Sequence, residues 1–175
     1  MGKRSDFTRI PRDFYPTPAS AMLGLARHLP EQFSFIEPCA GDGRLVDHLS
    51  KLGGTCVFSA DIEPRHPGIL SGDILDQPLF WPKADYVITN PPWSRPLLHA
   101  IISLVDRPAW LLFDADWCHT QQSIPHIQYL RTIQSIGRVK WIPGSKHSGK
   151  DNVAWHLFDP TSPPSQPVFY SQVMP

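Results

Sequence analysis

Asn90, Pro91, Pro92 and Trp93 form the stretch with the clearest chemical content, and they follow an apolar run, Tyr86-Val87-Ile88-Thr89. That run reads as a short buried strand ending where the tetrapeptide begins. Two consecutive prolines fix two φ angles and remove two backbone donors, so the chain can neither extend a ladder nor start a helix at Pro91. The result is a stiff turn that offers the Asn90 side-chain oxygen and the carbonyls around Pro91 as acceptors. Trp93 stands beside them as a flat apolar wall. Acceptors on a rigid loop next to an aromatic face suit a planar group bearing an amino substituent, such as an unpaired nucleobase. The other reading is a strand-ending turn whose asparagine caps backbone and whose tryptophan fills core.

A second set of residues lies upstream. A strand expected over 33–36 runs into Glu37-Pro38-Cys39-Ala40-Gly41-Asp42-Gly43, and a helix follows with Leu45, Val46, Leu49 and Leu52 on one face. Gly41 and Gly43 let backbone come close to a ligand, and the helix N-terminus offers free N–H groups and a positive dipole end. This is not the dinucleotide fingerprint, because Val46 holds the third glycine position, and no Walker G-K-[ST] follows. A strand over 56–60 then ends on Asp61, where open α/β sheets place an acid against ribose hydroxyls. Gly72-Asp73-Ile74 closes the set.

These side chains need a scaffold. Thr17 is placed to cap a helix over 19–29, with Pro18 at its first position and Met22, Leu25, Ala26 and Leu29 at helical spacing. A weak strand is expected just before Gly72, and a helix after Ser94 through Leu98, Ile101, Ile102 and Val105. A strand over 110–113 precedes a helical stretch over 124–131 and two late strands near 138–142 and 153–158. The alternation predicts an α/β fold with a mostly parallel sheet, its closing pair an antiparallel hairpin. Residues 1–12 read as a basic arm with Lys3, Arg4, Arg9 and Arg12, and 13–159 as one domain. Residues 160–175 hold five of the chain's 20 prolines and read as an extended tail without a regular element, docked through Phe169, Tyr170 and Val173 onto the domain or a partner.

Composition narrows the class. The chain has 175 residues, 41% of them hydrophobic, and no apolar run reaches the ~20 residues needed to span a bilayer. Its N-terminal stretch is basic and polar, without the apolar core of a secretory signal. Three cysteines, Cys39, Cys56 and Cys118, form no metal-ligand pair and no disulfide framework, which fits a reducing cytoplasm and no metal. Sixteen basic residues balance sixteen acidic ones, so any nucleic-acid binding must rest on local patches rather than net charge.

Taken in order, these residues resemble the class I S-adenosylmethionine-dependent methyltransferases, and among them the amino-group DNA methyltransferases. The family's cofactor loop, [DE]-P-x-x-G-x-G, is matched by residues 37–43, and its catalytic tetrapeptide, [DNS]-P-P-[YFW], by Asn90, Pro91, Pro92 and Trp93. Tyr15-Pro16-Thr17-Pro18 resembles the segment that closes over the methionine end of the cofactor, and its place ahead of the glycine loop gives the order of the γ-type enzymes. An N-P-P-x tetrapeptide is most similar to the adenine-N6 enzymes. The resemblance covers roughly residues 13–160 and implies a single Rossmann-like domain with helices on both faces. It also implies S-adenosyl-L-methionine as cofactor. Tyr15, Thr17, Pro18, Glu37, Pro38, Cys39, Ala40, Gly41 and Gly43 would hold the methionine moiety, Asp61 the ribose and Asp73 the adenine amino group. Ile62 and Ile74 would sandwich that adenine, and Asn90 would stand where cofactor and substrate meet.

The substrate implied is DNA with a flipped adenine, RNA being the alternative. Asn90 and a carbonyl of Pro91 would accept the two N–H groups of N6, and Trp93 would stack on the extruded base. Larger family members carry a separate recognition domain, for which this chain has no room; specificity is then absent or confined to 116–127 and 143–152. The second loop carries Lys146, His147 and Lys150 among glycines and serines, suited to phosphate oxygens or simply a solvated hairpin turn. By analogy, such a small enzyme resembles phage or mobile-element modification enzymes. Methylation of RNA adenine, cytosine N4 or a protein glutamine amide is one rival. A non-catalytic binding module on the same fold is another.

Overall fold

The strands that lead into the two motifs, β1 (Phe33–Glu37) and β4 (Tyr86–Thr89), lie side by side and run parallel. The computed structural model describes residues 14–142 and 148–172, the side chains of Pro78 and Leu79 excepted. On the far side of β1 lie β2 (Gly54–Asp61) and β3 (Leu70–Ser71). Beyond β4 come β5 (Ala109–Asp114), then β7 (Asn152–Phe158), β6 (Leu130–Arg138) and β8 (Val168–Tyr170). Strands β1 to β5 are parallel, β7 is antiparallel to both β5 and β6, and β8 is parallel to β6.

Chain order reverses between β1 and β4: the strands after β1 step outward one way as far as β3, and β4 is then laid down on the other side. Open α/β sheets bind ligands outside the carboxyl ends of the strands at such a reversal. Both motifs sit at carboxyl ends there, the glycine turn after β1 and the proline turn after β4.

Alternation along the strands feeds two cores. Phe33, Phe35, Ile88, Trp110 and Leu112 pack with Leu25 of α1 (Met22–Ala26) and with Leu45 and Leu49 of α2 (Arg44–Lys51). Ile36, Val87, Leu111 and Phe113 pack on the other face with Trp117 and with Leu98, Ile101 and Ile102 of α3 (Arg95–Leu104). A ten-residue helix such as α3 is marginal alone in water; each fully buried aliphatic side chain adds ~1.5–3 kcal/mol, which fixes it to the sheet. The α/β class, the mostly parallel sheet and the closing antiparallel pair are as the sequence indicates.

Several boundaries differ. The helix expected over 19–29 is a 3-10 turn, Ala19–Ala21, followed by the single α turn and a half of α1. Thr17 does not cap it; the extended Pro18 precedes the turn, with no side-chain cap. The helix expected over 124–131 is only Ile124–Ile127 (α4), and the strand expected near 138–142 lies earlier, as β6. Register shifts at Leu130/Thr132 and Ser135/Gly137 break the two-residue alternation of β6, and Gly137, at φ 70°, supplies the left-handed residue at the second shift. The tail also differs from expectation: Val168–Tyr170 forms β8 on the sheet edge. The N-terminal arm, Lys146, His147 and Val173 lie outside the described residues.

Candidate active site

The glycine turn is folded back on the end of β2. Ala40 N–H donates to Ala60 O at 2.9 Å, and Gly41 N–H donates to Asp61 Oδ2 at 2.8 Å. The other carboxylate oxygen of Asp61 accepts from Glu63 N–H at 2.8 Å. Gly41 adopts φ 54°, and a Cβ there would stand 2.8 Å from the ring of Phe14. Glycine is therefore required twice over, for conformation and for space. Phe14 is clamped from its other side by the Arg65 guanidinium, 3.8 Å from the ring centroid, while Arg65 N–H donates to Gly41 O at 2.9 Å.

A cleft opens between this turn and the 14–17 strap. Pro38, Cys39, Ala40 and Gly41 form one wall, Phe14, Tyr15, Pro16 and Thr17 another, and Asp61, Ile62, Asp73 and Ile74 the third. Asn90, Pro92 and Leu97 close the end nearest the proline turn. Of the carboxylates lining the cleft, Asp42 is paired with Arg44 at 3.0 Å and Glu63 with Arg65 at 3.7 Å. Asp61 and Asp73 instead accept from backbone N–H groups, Asp73 from Leu75 at 3.0 Å. A cleft with two such acids suits a ligand that carries positive charge, hydroxyls and an amino group. Both isoleucines line the cleft, Ile62 56% exposed and Ile74 buried.

Asn90 is held by its nitrogen end. Nδ2 donates to Tyr15 O at 3.1 Å and to Thr17 Oγ1 at 3.2 Å. A backbone carbonyl can only accept, so the amide orientation is fixed and Oδ1 faces the opposite way. Oδ1 receives a long contact, 3.4 Å, from Trp93 Nε1, whose better hydrogen bond is to Leu112 O at 3.1 Å. Trp93 thus leans inward, packing against both cores, and meets Trp141 edge-on at 5.7 Å. Tyr15 lies 6.3 Å from the same Trp141 ring. Three aromatic rings from the strap, the proline turn and the segment after β6 therefore gather beside Asn90. Gly149 N–H donates to Val139 O at 2.7 Å and lies against the Trp141 ring, with exposed Lys150 next in sequence.

Two of the ionisable groups at the site are displaced from their usual state. Glu37 is wholly buried under the cleft floor; Thr89 Oγ1 and Cys39 N–H donate to its Oε1. Burial pushes its carboxyl up to about 8, against the opposing pull of those two hydrogen bonds. Burial and the neighbouring acids also push the Cys39 thiol up, which disfavours a thiolate nucleophile there. At the other end of the proline turn, Arg95 pairs with Asp114 at the carboxyl end of β5, fixing the start of α3 to the sheet. Among the described residues no group of three His, Cys, Asp or Glu side chains is placed to hold a metal, and no helix is long and apolar enough to cross a membrane.

Most of the residues singled out for the cofactor and the tetrapeptide converge on the cleft, but five of them do not form its wall, and Lys150 lies apart from it. Glu37 lies beneath it, Pro91 is buried, Trp93 turns to the core, and Pro18 begins the helical segment. Gly43 borders a separate shallow depression with Asp47 and His66. Phe14, Arg65 and Trp141 were not foreseen. No local motif marks them, since each acts through a partner distant in sequence.

No protein-family model matches the chain, and no curated protein matches it in sequence. Solved structures do resemble it in fold. One is a Listeria monocytogenes protein assigned to the class I S-adenosylmethionine-dependent methyltransferases, with a TM-score of 0.63 and 11% identity over 95% of this chain and 68% of that one. Another is a Vibrio vulnificus protein assigned as the modification subunit of a type I restriction enzyme, at 0.62 and 14% identity over 93% of this chain. The chain spans about half of that protein, 48% of its length. A third is the E. cuniculi Mtq2-Trm112 complex, which methylates the eRF1 translation termination factor, at 0.58 and 16% identity over 80% of this chain and 92% of that one. The fold is that of the class I methyltransferases.

Proposed function

We propose that this protein transfers a methyl group from S-adenosyl-L-methionine to an exocyclic amino group, and that the substrate is N6 of an adenine flipped out of DNA. The observation that carries the reading is the fixed Asn90 amide. Its nitrogen is held by Tyr15 and Thr17, so its oxygen stands where the acidic cleft meets the three aromatic rings.

The cleft fits the cofactor on its own chemistry: Asp61 for ribose hydroxyls, Asp73 for the adenine amino group, and Ile62 and Ile74 for the two faces of the ring. Pro38, Cys39, Ala40 and Gly41 leave the methionine end room against Tyr15 and Thr17. When bound, the cofactor supplies an electrophilic methyl on a positively charged sulfonium. Asn90 Oδ1 and the Pro91 carbonyl accept the two N–H groups of the amino substituent, draw the nitrogen toward tetrahedral geometry and free its lone pair for attack. Tyr15 and Trp141 exclude water around the base and supply stacking surface, with Trp93, turned to the core, backing Trp141 edge-on. Lys150, with Lys146 and His147 of the same loop, attracts phosphates without reading sequence.

A second reading, methylation of a protein glutamine, is favoured by one observation: the chain spans 92% of one chain from the complex responsible for methylating a termination factor. A glutamine amide is planar and offers the same two N–H groups. Incubation with methyl-labelled cofactor and duplex DNA, single-stranded DNA, RNA or protein, with mass identification of the product, separates the two. N6-methyladenine in DNA is expected. Label confined to a protein amide would select the second reading, and no label in any substrate from folded protein would reject methyl transfer.

A further inference from the structure

The residue before Asn90 is tied to the first residue of the glycine loop. Thr89 Oγ1 donates to Glu37 Oε1, and Cys39 N–H donates to the same oxygen at 3.3 Å. Glu37 and Thr89 are both fully buried, and the second carboxyl oxygen, Oε2, is buried without a partner. The titratable groups facing this carboxyl are Cys39 from its own loop and Cys56 and Asp61 from β2, two thiols and an acid, with no cation among the described residues. Ionised, Oε2 would be a buried charge with neither donor nor counter-ion. Protonated at Oε2, the group is a neutral acid whose Oε1 still accepts both donors.

We infer that Glu37 is a positioning residue that stands as the carboxylic acid while the cleft is free of ligand, and that a cation seated in the cleft draws its proton off. The identity of that cation rests on the cofactor reading above. Loss of the proton converts the Thr89 hydrogen bond into a charge-assisted one, shorter and roughly twice as strong. The strand end that carries Asn90 is thereby stiffened when the cleft is charged. Once the cleft no longer holds a cation, Glu37 would take its proton back and the bridge would slacken. The protons balance: one leaves Glu37 Oε2 for solvent on binding and one returns when the sulfonium is lost, apart from the proton that the methylated amino group itself releases. Occupancy of the cofactor cleft is in this way reported to the catalytic turn through one buried carboxyl.

The test uses the full chain. Infrared spectra of ligand-free protein at neutral pH should contain a protonated-carboxyl band that is absent from Glu37→Gln. Calorimetry of S-adenosylmethionine binding near pH 7, in buffers of differing ionisation enthalpy, should show release of most of one proton more by wild type than by Glu37→Gln. The ligand's own ammonium titrates equally in both proteins, so the difference isolates Glu37. S-adenosylhomocysteine, lacking the sulfonium, should release less. Thr89→Val should shift the infrared titration of the carboxyl upward, and Thr89→Ser should restore it. A carboxylate at neutral pH in the ligand-free wild type would overturn the inference even if Glu37→Gln failed to fold. So would proton release equal in wild type and Glu37→Gln. Failure to bind S-adenosylmethionine at all, with the protonated band present, would instead reject the cofactor reading.

Discussion

The side-chain nitrogen of Asn90 donates to the backbone carbonyl of Tyr15, at 3.1 Å across 75 residues of sequence. This bond, with its companion to Thr17 Oγ1, makes the proline turn the anchor of the strap that roofs the cleft. Asn90 thus holds the roof with its nitrogen, and in the proposed reaction its oxygen is the end left to meet the substrate.

Asn90→Ala should therefore lower both rate and cofactor affinity. Loss of an acceptor that strengthens in the transition state costs roughly 100- to 1000-fold in turnover. Loss of two neutral hydrogen bonds to the strap should weaken cofactor binding by about 1–2 kcal/mol. Single-turnover methyl transfer and equilibrium binding of the same protein measure the two effects separately. Turnover within a few-fold of wild type would remove Asn90 from the chemistry.

Gly41→Ala should impair cofactor binding at least ten-fold, a change of about 1.4 kcal/mol or more. The added methyl would stand 2.8 Å from the Phe14 ring, and φ 54° disfavours any side chain. Phe14 must then leave its place between the turn and Arg65, and the cleft loses part of a wall. Binding isotherms on folded protein would reveal it; unchanged affinity would mean that the Phe14 strap is not part of the binding surface.

How far the sequence carried can be judged from particular residues. β1, β2, β4, β5 and β7 were legible because apolar runs there are bounded by glycine, proline or acids, and short-range pattern is what buried parallel strands leave behind. β6 was not, because two register shifts scramble its alternation and Ile133 and Ile136 mimic helical spacing with Ile127 and Leu130. The order of motifs points to the cleft, yet placement within it departs from the sequence pattern: Thr17 accepts from Asn90 rather than capping a helix, and Glu37 lies beneath the floor rather than in the wall. Trp141 carries no local signal, and its role comes only from folding the segment after β6 against Trp93.

Trp93→Phe should lower stability by about 1 kcal/mol, since the indole N–H that donates to Leu112 O has no substitute on a phenyl ring. Trp93→Ala should cost more, ~2–3 kcal/mol, because a half-buried side chain packed against both cores loses its contacts. Denaturant midpoints distinguish these values. Equal stability for both variants would place Trp93 on the surface, contrary to its packing.

Lys150→Ala should weaken duplex DNA binding and reduce the slope of log affinity against log salt by about one unit. Its rate at saturating DNA should be unaltered, because the lysine is exposed and is no part of the cleft lining. Salt titrations of binding give the slope directly. An identical slope would leave the loop as a solvated turn.

His156 should contribute acid sensitivity, opposed between about 4.5 and 8 by Glu37, whose proton the folded chain holds and the unfolded chain does not. Its ring is fully buried on β7 and lies flat on Phe113, with centroids 3.9 Å apart and planes 10° from parallel. Burial is the main cause of a folded-state value near 3, and the Arg95 charge lowers it further. An unfolded histidine takes a proton near 6.5. Between those values this histidine binds a proton in the unfolded chain and not in the folded one, so its own contribution to stability rises with pH across that window. The contribution is complete above about 6.5 and is lost progressively as pH falls toward 3. His156→Phe keeps a flat ring against Phe113 and cannot be protonated, so its unfolding free energy should fall less steeply on acidification than that of wild type. Urea unfolding of both proteins at pH values from 7 down to 4 gives the two slopes, and parallel curves would show that His156 is already protonated in the fold.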